Sequence, residues 1–152
     1  MKYLIERASA ITPKDSLDDL LNSKKSLRIK LGVDPTAPDV TLGWYAILRA
    51  LRKFQDYGHT AVLILGEFTA QVGDPSGKSE TRTQLEENQI DDNSKGVLPI
   101  IKGILNEENL EIVSNKDWLS KLSTSELVHL SSCLLYTSDA ADDMFRVVVG
   151  GG

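Results

Sequence analysis

Residues 31–44 read Leu31-Gly32-Val33-Asp34-Pro35-Thr36-Ala37-Pro38-Asp39-Val40-Thr41-Leu42-Gly43-Trp44. Upstream of residue 34, apolar residues alternate with Arg28 and Lys30, which predicts a strand with one buried face. Downstream, apolar residues recur at helical spacing from Tyr45, and Gly58 is the predicted stop. A loop between a strand and a helix can bind phosphate, because free N–H groups and the positive end of the helix dipole meet there. It can equally be a structural turn, since Gly, Pro and Asp are common in turns.

Two further strands are predicted downstream. Residues 61–65 form a continuous apolar run, typical of a strand buried on both faces. A helix is predicted around Val97–Leu105, with Pro99 in its first turn or at a kink, and a third strand at 110–113. Trp118, after that strand, is expected to anchor the core. We therefore predict an α/β fold, a Rossmann-like parallel sheet with flanking helices.

A second unusual loop follows residue 65 and contains Gly73-Asp74-Pro75-Ser76-Gly77-Lys78. It leaves the same edge of the predicted sheet as the first loop, where ligands bind in open α/β sheets. A plain turn remains the alternative. The candidates are carboxylates for an ammonium or ribose hydroxyl (Asp34, Asp74), glycines for close approach (Gly32, Gly43), hydroxyl donors for phosphate (Thr36, Thr41) and cations for a polyphosphate (Lys78, Arg82).

Gly32–Ala37 followed by Leu42-Gly43 resembles the first signature region of class I aminoacyl-tRNA synthetases, specifically the tyrosyl-tRNA synthetases. The Gly73–Lys78 string is similar to the same family and not to the tryptophan enzymes, which share its fold. Phe54–His59 and Asn115–Leu119 also match, so that the likeness covers about residues 15–132. The family signature normally closes on His-X-Gly-His, and here its histidine positions hold Thr41 and Trp44.

The resemblance implies an ATP-dependent ligase that activates L-tyrosine to tyrosyl-adenylate and transfers it to tRNA(Tyr). It implies Mg²⁺ bound with the ATP, no metal site of the protein itself, and a homodimer when the protein is complete. By the resemblance, ATP contacts Asp34, Pro35, Thr36, Thr41, Leu42, Gly43 and Trp44; tyrosine contacts Gly32, Asp34, Thr69 and Asp74; and the catalytic positions are Thr36, Thr41, Trp44, Lys78 and Arg82.

The sequence lacks the family's Lys-Met-Ser-Lys-Ser loop, its tyrosine-selecting helix and its anticodon-binding domain. We interpret residues 1–132 as the N-terminal part of the nucleotide-binding catalytic domain. Residues 133–152 are interpreted as a non-native or disordered tail, because Cys133–Asp142 looks like a translated sequencing-adapter string. With both signature histidines replaced, we expect impaired activity.

The composition of the 152 residues narrows the functional classes. A net charge of −5 argues against an extended nucleic-acid surface, and the single Cys133 excludes an internal disulfide framework and a cysteine-rich zinc site. We predict a cytoplasmic protein without a membrane span. Two other functions stay open: a degenerate Rossmann-like module that binds a nucleotide without catalysis, and a small nucleotidylyltransferase, which the Gly73–Lys78 motif disfavours.

Overall fold

The computed structural model describes residues 25–71 and 85–134. The sequence also predicts a short helix near residues 16–21. That segment, the Gly73–Lys78 motif and the tail beyond residue 134 lie outside the described ranges. The described elements, in chain order, are strand β1 (Arg28–Val33), helix α1 (Leu42–Asp56), strand β2 (Thr60–Leu65), helix α2 (Glu87–Ile104), strand β3 (Leu110–Ser114), helix α3 (Lys116–Leu119) and helix α4 (Thr124–Leu134), with short 3-10 turns at Thr69–Gln71 and Glu107–Asn109.

The chain divides into two compact units. Residues 26–121 form one unit, which holds the sheet. Residues 1–25 and 122–152 form the other, of which α4 is the described helix. The sequence predicts a cap for α4 from Ser123 or Thr124 together with Glu126, and the structure shows it at Ser123. The Glu126 carboxylate accepts from the Ser123 N–H at 2.8 Å, and the Ser123 hydroxyl accepts from the Glu126 N–H at 3.3 Å. No helix among the described residues is long and apolar enough to cross a membrane.

The sheet has three parallel strands in the order β1-β2-β3. Gly32 pairs with Ile64, and Leu65 pairs with Ser114. Exposed and half-buried residues alternate along β1, as its sequence predicts, whereas the central strand β2 is mostly buried. The predicted α/β fold with a parallel sheet is therefore confirmed.

Helices α1 and α2 pack on one face of this sheet around a shared apolar core. The core is formed by Leu48 and Leu51 of α1, Ala61, Leu63 and Leu65 of β2, Val97 and Ile101 of α2, and Leu105. The three β2 residues alternate along the strand and so lie on the same face. Because each helix connects successive parallel strands, the two βαβ units leave both βα loops at the carboxyl edge of the sheet.

A buried glutamine connects the C-terminal end of α1 to the segment between α2 and β3. The Gln55 side chain is 4% exposed. Its amide donates to the carbonyls of Asn106 and Asn109 at 2.8 and 2.9 Å, and its oxygen accepts from the Asn106 N–H at 2.9 Å. With these bonds satisfied, Gln55 can be buried without an unpaired polar group. The helix ends beside Gly58, whose φ of +86° is the left-handed geometry expected at a helix stop.

Two sequence predictions differ from the structure. Pro99 lies in the interior of α2, because the helix begins at Glu87 within a polar segment whose apolar signal is weak. Of the two alternatives for Pro99, the position in the first turn is therefore wrong, and a kink at Pro99 stays a prediction. Trp118 is 44% exposed on the four-residue helix α3. It was expected in the core because of its size, but an indole on so short a helix reaches only the surface of this unit.

Candidate functional site

The two βα loops start side by side at the carboxyl edge of the sheet. The Gly66 N–H, just after β2, donates to the Val33 carbonyl at the end of β1 at 2.8 Å. The next residue of the first loop, Asp34, receives a hydrogen bond from the Thr69 hydroxyl at 2.7 Å. The structure thus brings together Asp34 and Thr69, two residues predicted from the sequence to bind tyrosine.

Gly66 makes this approach possible. A Cβ at position 66 would lie 1.7 Å from Oδ1 of Asp34 and 2.6 Å from the Thr69 hydroxyl, so any side chain there would displace both. The glycine therefore reserves the space in which the carboxylate lies. Sequence reasoning placed Gly66 in the loop but gave it no role, since a glycine in a turn does not show what approaches it.

Asn115 is a site residue that the sequence analysis missed. Its side chain is buried, donates to the Thr69 hydroxyl at 3.0 Å and accepts from the Phe68 N–H at 2.9 Å. Thr69 in turn donates to Asp34, so a continuous chain of hydrogen bonds connects the ends of β3, β2 and β1. Asn115 belongs to the matching string Asn115–Leu119, and that was the one available signal.

Gly32 faces open space on β1. A Cβ built there meets nothing within 4 Å among the other atoms, and the residue is exposed. It is one residue before the end of the strand and two before Asp34. A small ligand can therefore lie against the backbone of β1 beside this carboxylate.

The N-terminus of α1 lies at the other end of the signature loop, which we define as residues 34–41. Thr41 caps the helix: its hydroxyl accepts from the Trp44 N–H at 3.3 Å, and its carbonyl accepts from the Tyr45 N–H at 2.9 Å. The first-turn N–H groups of Leu42 and Gly43 have no acceptor among the described residues. They are donors that an anion can use, and the helix dipole favours one there.

The residues at the two histidine positions of the signature have structural contacts. Thr41 is exposed and its hydroxyl is used as the helix cap, whereas Trp44 is half-buried and packs against the apolar core. Gly43 and Leu42 are both exposed, and Leu42 is 87% exposed despite being apolar. The exposed part of this helix end is therefore formed by Thr41, Leu42 and Gly43.

Charged groups also lie near the ends of β2 and β3. Lys116 follows β3 and forms an ion pair with Glu87 at the start of α2. The hydrogen bond from Lys116 lowers the pKa of the Glu87 carboxyl, and the same bond raises the pKa of the Lys116 amine. Glu67 accepts a hydrogen bond from the Ser114 hydroxyl. The edge therefore combines carboxylates with a cation that is held by its partner.

Three of the predicted site residues, Asp74, Lys78 and Arg82, lie outside the described residues. Within the described ranges, no group of three or more His, Cys, Asp or Glu side chains could hold a metal ion. A separate cleft of about 500 Å³ lies between α1 and α2. There Arg52 donates to Asp56 at 3.0 Å and to the Ile104 carbonyl at 3.2 Å, so it pairs with its own helix and binds the end of α2.

The family profile for "tRNA synthetases class I (W and Y)" matches residues 22–138, more than half of the chain. The chain belongs to this family. It is 42% identical to the tyrosine–tRNA ligase of Carboxydothermus hydrogenoformans over 134 residues, which is 85% of this chain and 33% of the relative. It is 47% identical to the tyrosine–tRNA ligase of Chlorobaculum tepidum over 112 residues, 74% of this chain and 28% of that protein.

Solved structures of this class I synthetase family have the same fold. The Archaeoglobus fulgidus tyrosyl-tRNA synthetase, determined with L-tyrosine, has a TM-score of 0.65 at 16% identity and covers 92% of this chain and 42% of its own. A truncated Coccidioides posadasii mitochondrial tyrosyl-tRNA synthetase has a TM-score of 0.63 at 23% identity, with 87% and 39% covered. This chain spans about a third of the length of its curated relatives.

Proposed function

We propose that this chain is the nucleotide-binding part of a tyrosine–tRNA ligase. The observation that carries the proposal is the Asp34 carboxylate, held by Thr69 beside the open backbone of Gly32 at the carboxyl edge of the sheet. Relatives of more than 40% identity carry the name tyrosine–tRNA ligase, which supports tyrosine as the amino acid. The complete protein then takes ATP, L-tyrosine and tRNA(Tyr), as a cytoplasmic homodimer.

The reaction proposed for the complete protein has two steps. A carboxylate oxygen of tyrosine attacks the α-phosphorus of ATP, an O–P bond forms, and the bond to the β-phosphate breaks to release pyrophosphate. A hydroxyl of the tRNA end then attacks the carbonyl of the adenylate and AMP leaves. The enzyme contributes by orienting the reactants and by donating hydrogen bonds where charge develops on phosphate.

Several of the groups proposed to act on the substrates lie within the described residues, at the edge of the sheet. The N–H groups of Leu42 and Gly43 and the hydroxyl of Thr36 are proposed as phosphate donors. Asp34 and Gly32 are proposed to line the pocket for tyrosine and the adenylate. From outside the described residues, Asp74 is proposed to bind the tyrosine ammonium, and Lys78 and Arg82 to bind the pyrophosphate.

Mg²⁺ is proposed to arrive with the triphosphate and to neutralise its charge. The described residues offer no cluster that could bind the ion by itself. We therefore assign no magnesium ligand to them, and their proposed part is to bind and orient the nucleotide.

A second candidate is a nucleotide-binding module without catalysis. The observation that favours it is that Thr41 is used as a helix cap and that Trp44 packs against the apolar core, at the two positions where the family signature has histidines. On this candidate the chain binds ATP at the same edge but does not form an adenylate. Binding tests the site shared by both candidates, and adenylate chemistry distinguishes them.

Titration of ATP, and of a non-hydrolysable tyrosyl-adenylate analogue, into isotopically labelled chain tests the site. We expect amide shifts at Gly32, Thr36, Gly43 and Gly66. Gly32→Ala should weaken analogue binding about tenfold or more while the fold is kept, because the added methyl fills open space that the ligand needs. Gly103→Ala, also in open space but on α2, is the matched control. Shifts confined to residues 105–122 would contradict the proposed site.

A further inference from the structure

Helix α2 contacts the signature loop at two places. The Asn93 amide donates to the Pro35 carbonyl at 3.0 Å, although the two residues are 58 positions apart. The Pro35 side chain is fully buried. This hydrogen bond therefore connects a rigid helix to the first residues of the loop that follows Asp34.

A second contact lies one helical turn further along α2. A Cβ at Gly96 would lie 2.8 Å from the Pro38 carbonyl oxygen, 2.9 Å from Pro38 Cβ and 3.2 Å from Pro38 Cα. Asn93 and Gly96 are three residues apart and so share one face of the helix. That face touches both prolines of the loop, on either side of Thr36 and Ala37.

The loop has few backbone hydrogen bonds of its own. Pro35 and Pro38 have no N–H to donate. Thr36 donates to the Asp34 carbonyl at 2.8 Å, which closes a three-residue turn. Because the peptide group is planar, fixing the Pro35 carbonyl also fixes the direction of the Thr36 N–H. Asn93 thus sets the orientation of the peptide that carries Thr36.

We propose that Asn93 and Gly96 are positioning residues for the signature loop. Asn93 holds the peptide between Pro35 and Thr36, and Gly96 lets α2 approach closely enough for this bond to form. Together they aim the Thr36 hydroxyl and the start of the loop at the phosphates of ATP. The inference rests on the function proposed above, because it takes a nucleotide as the ligand at this edge.

The test uses the full 152-residue chain with matched substitutions on α2. Asn93→Asp replaces the donor by an oxygen that repels the Pro35 carbonyl. Asn88→Asp makes the same chemical change at an exposed position in the first turn of α2 and keeps the oxygen that accepts from Gln89. Gly96→Ala adds a methyl against Pro38, and Gly103→Ala adds one to open space on the same helix.

Two readouts separate positioning from general stability. The first is the amide exchange rate of Thr36 and Ala37, compared with that of the core residues Leu63 and Leu65. The second is the dissociation constant for ATP, from amide shifts. We expect Asn93→Asp to raise the amide exchange rates of Thr36 and Ala37. It should also weaken the binding of ATP about five- to tenfold, as the loss of one hydrogen bond does. Asn93→Asp should leave core exchange unchanged, and the two controls should match wild type in loop exchange and in ATP affinity.

The outcomes are distinguishable. Unchanged loop exchange and ATP affinity in Asn93→Asp would overturn the inference. Faster exchange in the core and the loop alike would also overturn it, because it would show a purely structural role. If the wild-type chain shows no ATP shifts at any residue, the proposed function fails, and the exchange of Thr36 and Ala37 then decides alone whether Asn93 holds the loop.

Discussion

The Thr69 hydroxyl donates a 2.7 Å hydrogen bond to the Asp34 carboxylate, across 35 residues of sequence. The same hydroxyl accepts a 3.0 Å hydrogen bond from the buried Asn115. One side chain thus connects the loops that follow all three strands. Its two bonds use both the donor and an acceptor of the hydroxyl, which only Ser, Thr or Tyr can provide in this way.

Thr69→Val should therefore destabilise the chain despite its nearly equal volume. Valine leaves the buried Asn115 amide without its acceptor, which costs about 1–3 kcal/mol, and removes the donor to Asp34. Urea unfolding measures the loss. Thr60→Val is the control, since Thr60 lies in β2 and makes no side-chain hydrogen bond among the described residues; we expect a change within about 0.5 kcal/mol. Equal effects of the two substitutions would contradict the role given to Thr69.

Gly66→Ala and Gly103→Ala should change stability in opposite directions. The methyl at position 66 would lie 1.7 Å from the Asp34 carboxylate, so the loop must shift, at about 1–3 kcal/mol. The methyl at position 103 meets nothing within 4 Å, and alanine in a helix is favoured over glycine by up to about 1 kcal/mol. Urea unfolding measures the change in stability of each variant, and the NMR shift of the Asp34 amide reports the movement of the loop in Gly66→Ala. A Gly66→Ala chain of wild-type stability, with an unchanged Asp34 signal, would show that the carboxylate does not need this space.

These interactions show where sequence reasoning stops. The alternation along β1 and the apolar run of β2 report burial directly, so the strands and the parallel sheet follow from local pattern. The position of the site follows as well, because parallel strands bring their following loops to one edge. Asp34 and Thr69 could be named from the resemblance to tyrosyl-tRNA synthetases, and Asp34 belongs to its first motif.

The supporting residues could not be found in this way. Each of them acts through a partner that is 32 to 58 residues away in the sequence: Gly66 beside Asp34, Asn93 on Pro35 and Asn115 on Thr69. No periodicity in the sequence encodes such contacts. Trp118 shows the opposite error: size alone suggested burial, although its exposure is set by a four-residue helix after β3. Local pattern therefore predicts the elements, and tertiary contacts decide which polar residues support the site.

The ion pair between Glu87 and Lys116 predicts a dependence of stability on pH. The pKa of Glu87 is lowered in the folded chain, so its contribution is present above the unfolded value of about 4.3 and is lost as the pH falls through the folded pKa. The pKa of Lys116 is raised, so its contribution is present below about 10.4 and is lost as the pH rises through the folded pKa. The pair therefore stabilises the fold between these limits.

We expect the urea midpoints of wild type and Glu87→Gln to differ most near neutral pH and to converge at both extremes. Because the Lys116 and Glu87 side chains are 40% and 61% exposed, the difference should be small and should shrink in about 1 M salt. Glu108→Gln is the control, since Glu108 is exposed and has no ion pair among the described residues. A difference between wild type and Glu87→Gln that stays constant with pH would exclude the pair as its source.

Restoring histidines at the signature positions should raise activity while it lowers stability. Thr41→His removes the hydroxyl that caps α1, at about 1 kcal/mol, and Trp44→His withdraws an indole that packs against the core. An imidazole at each position can instead donate to phosphate oxygens as charge builds on them. One such donor is commonly worth about 2.7–4 kcal/mol of barrier. We therefore expect the changes in stability and in rate to have opposite signs.

The measurement uses a fusion protein, because this chain spans about a third of the length of its curated relatives. The chain is fused to the remainder of a related tyrosine–tRNA ligase, and tyrosine-dependent exchange between ATP and pyrophosphate is compared with and without Thr41→His plus Trp44→His. We expect a gain of about a hundredfold or more from the two imidazoles. Thr41→Asn plus Trp44→Phe, which keeps a capping side chain and a large ring without an imidazole, should give no gain. The contrary outcome is that the fusion with Thr41 and Trp44 already catalyses the exchange as fast as the histidine variant. The helix cap at residue 41 and the packing at residue 44 would then not limit catalysis. The non-catalytic candidate would lose the observation that favoured it.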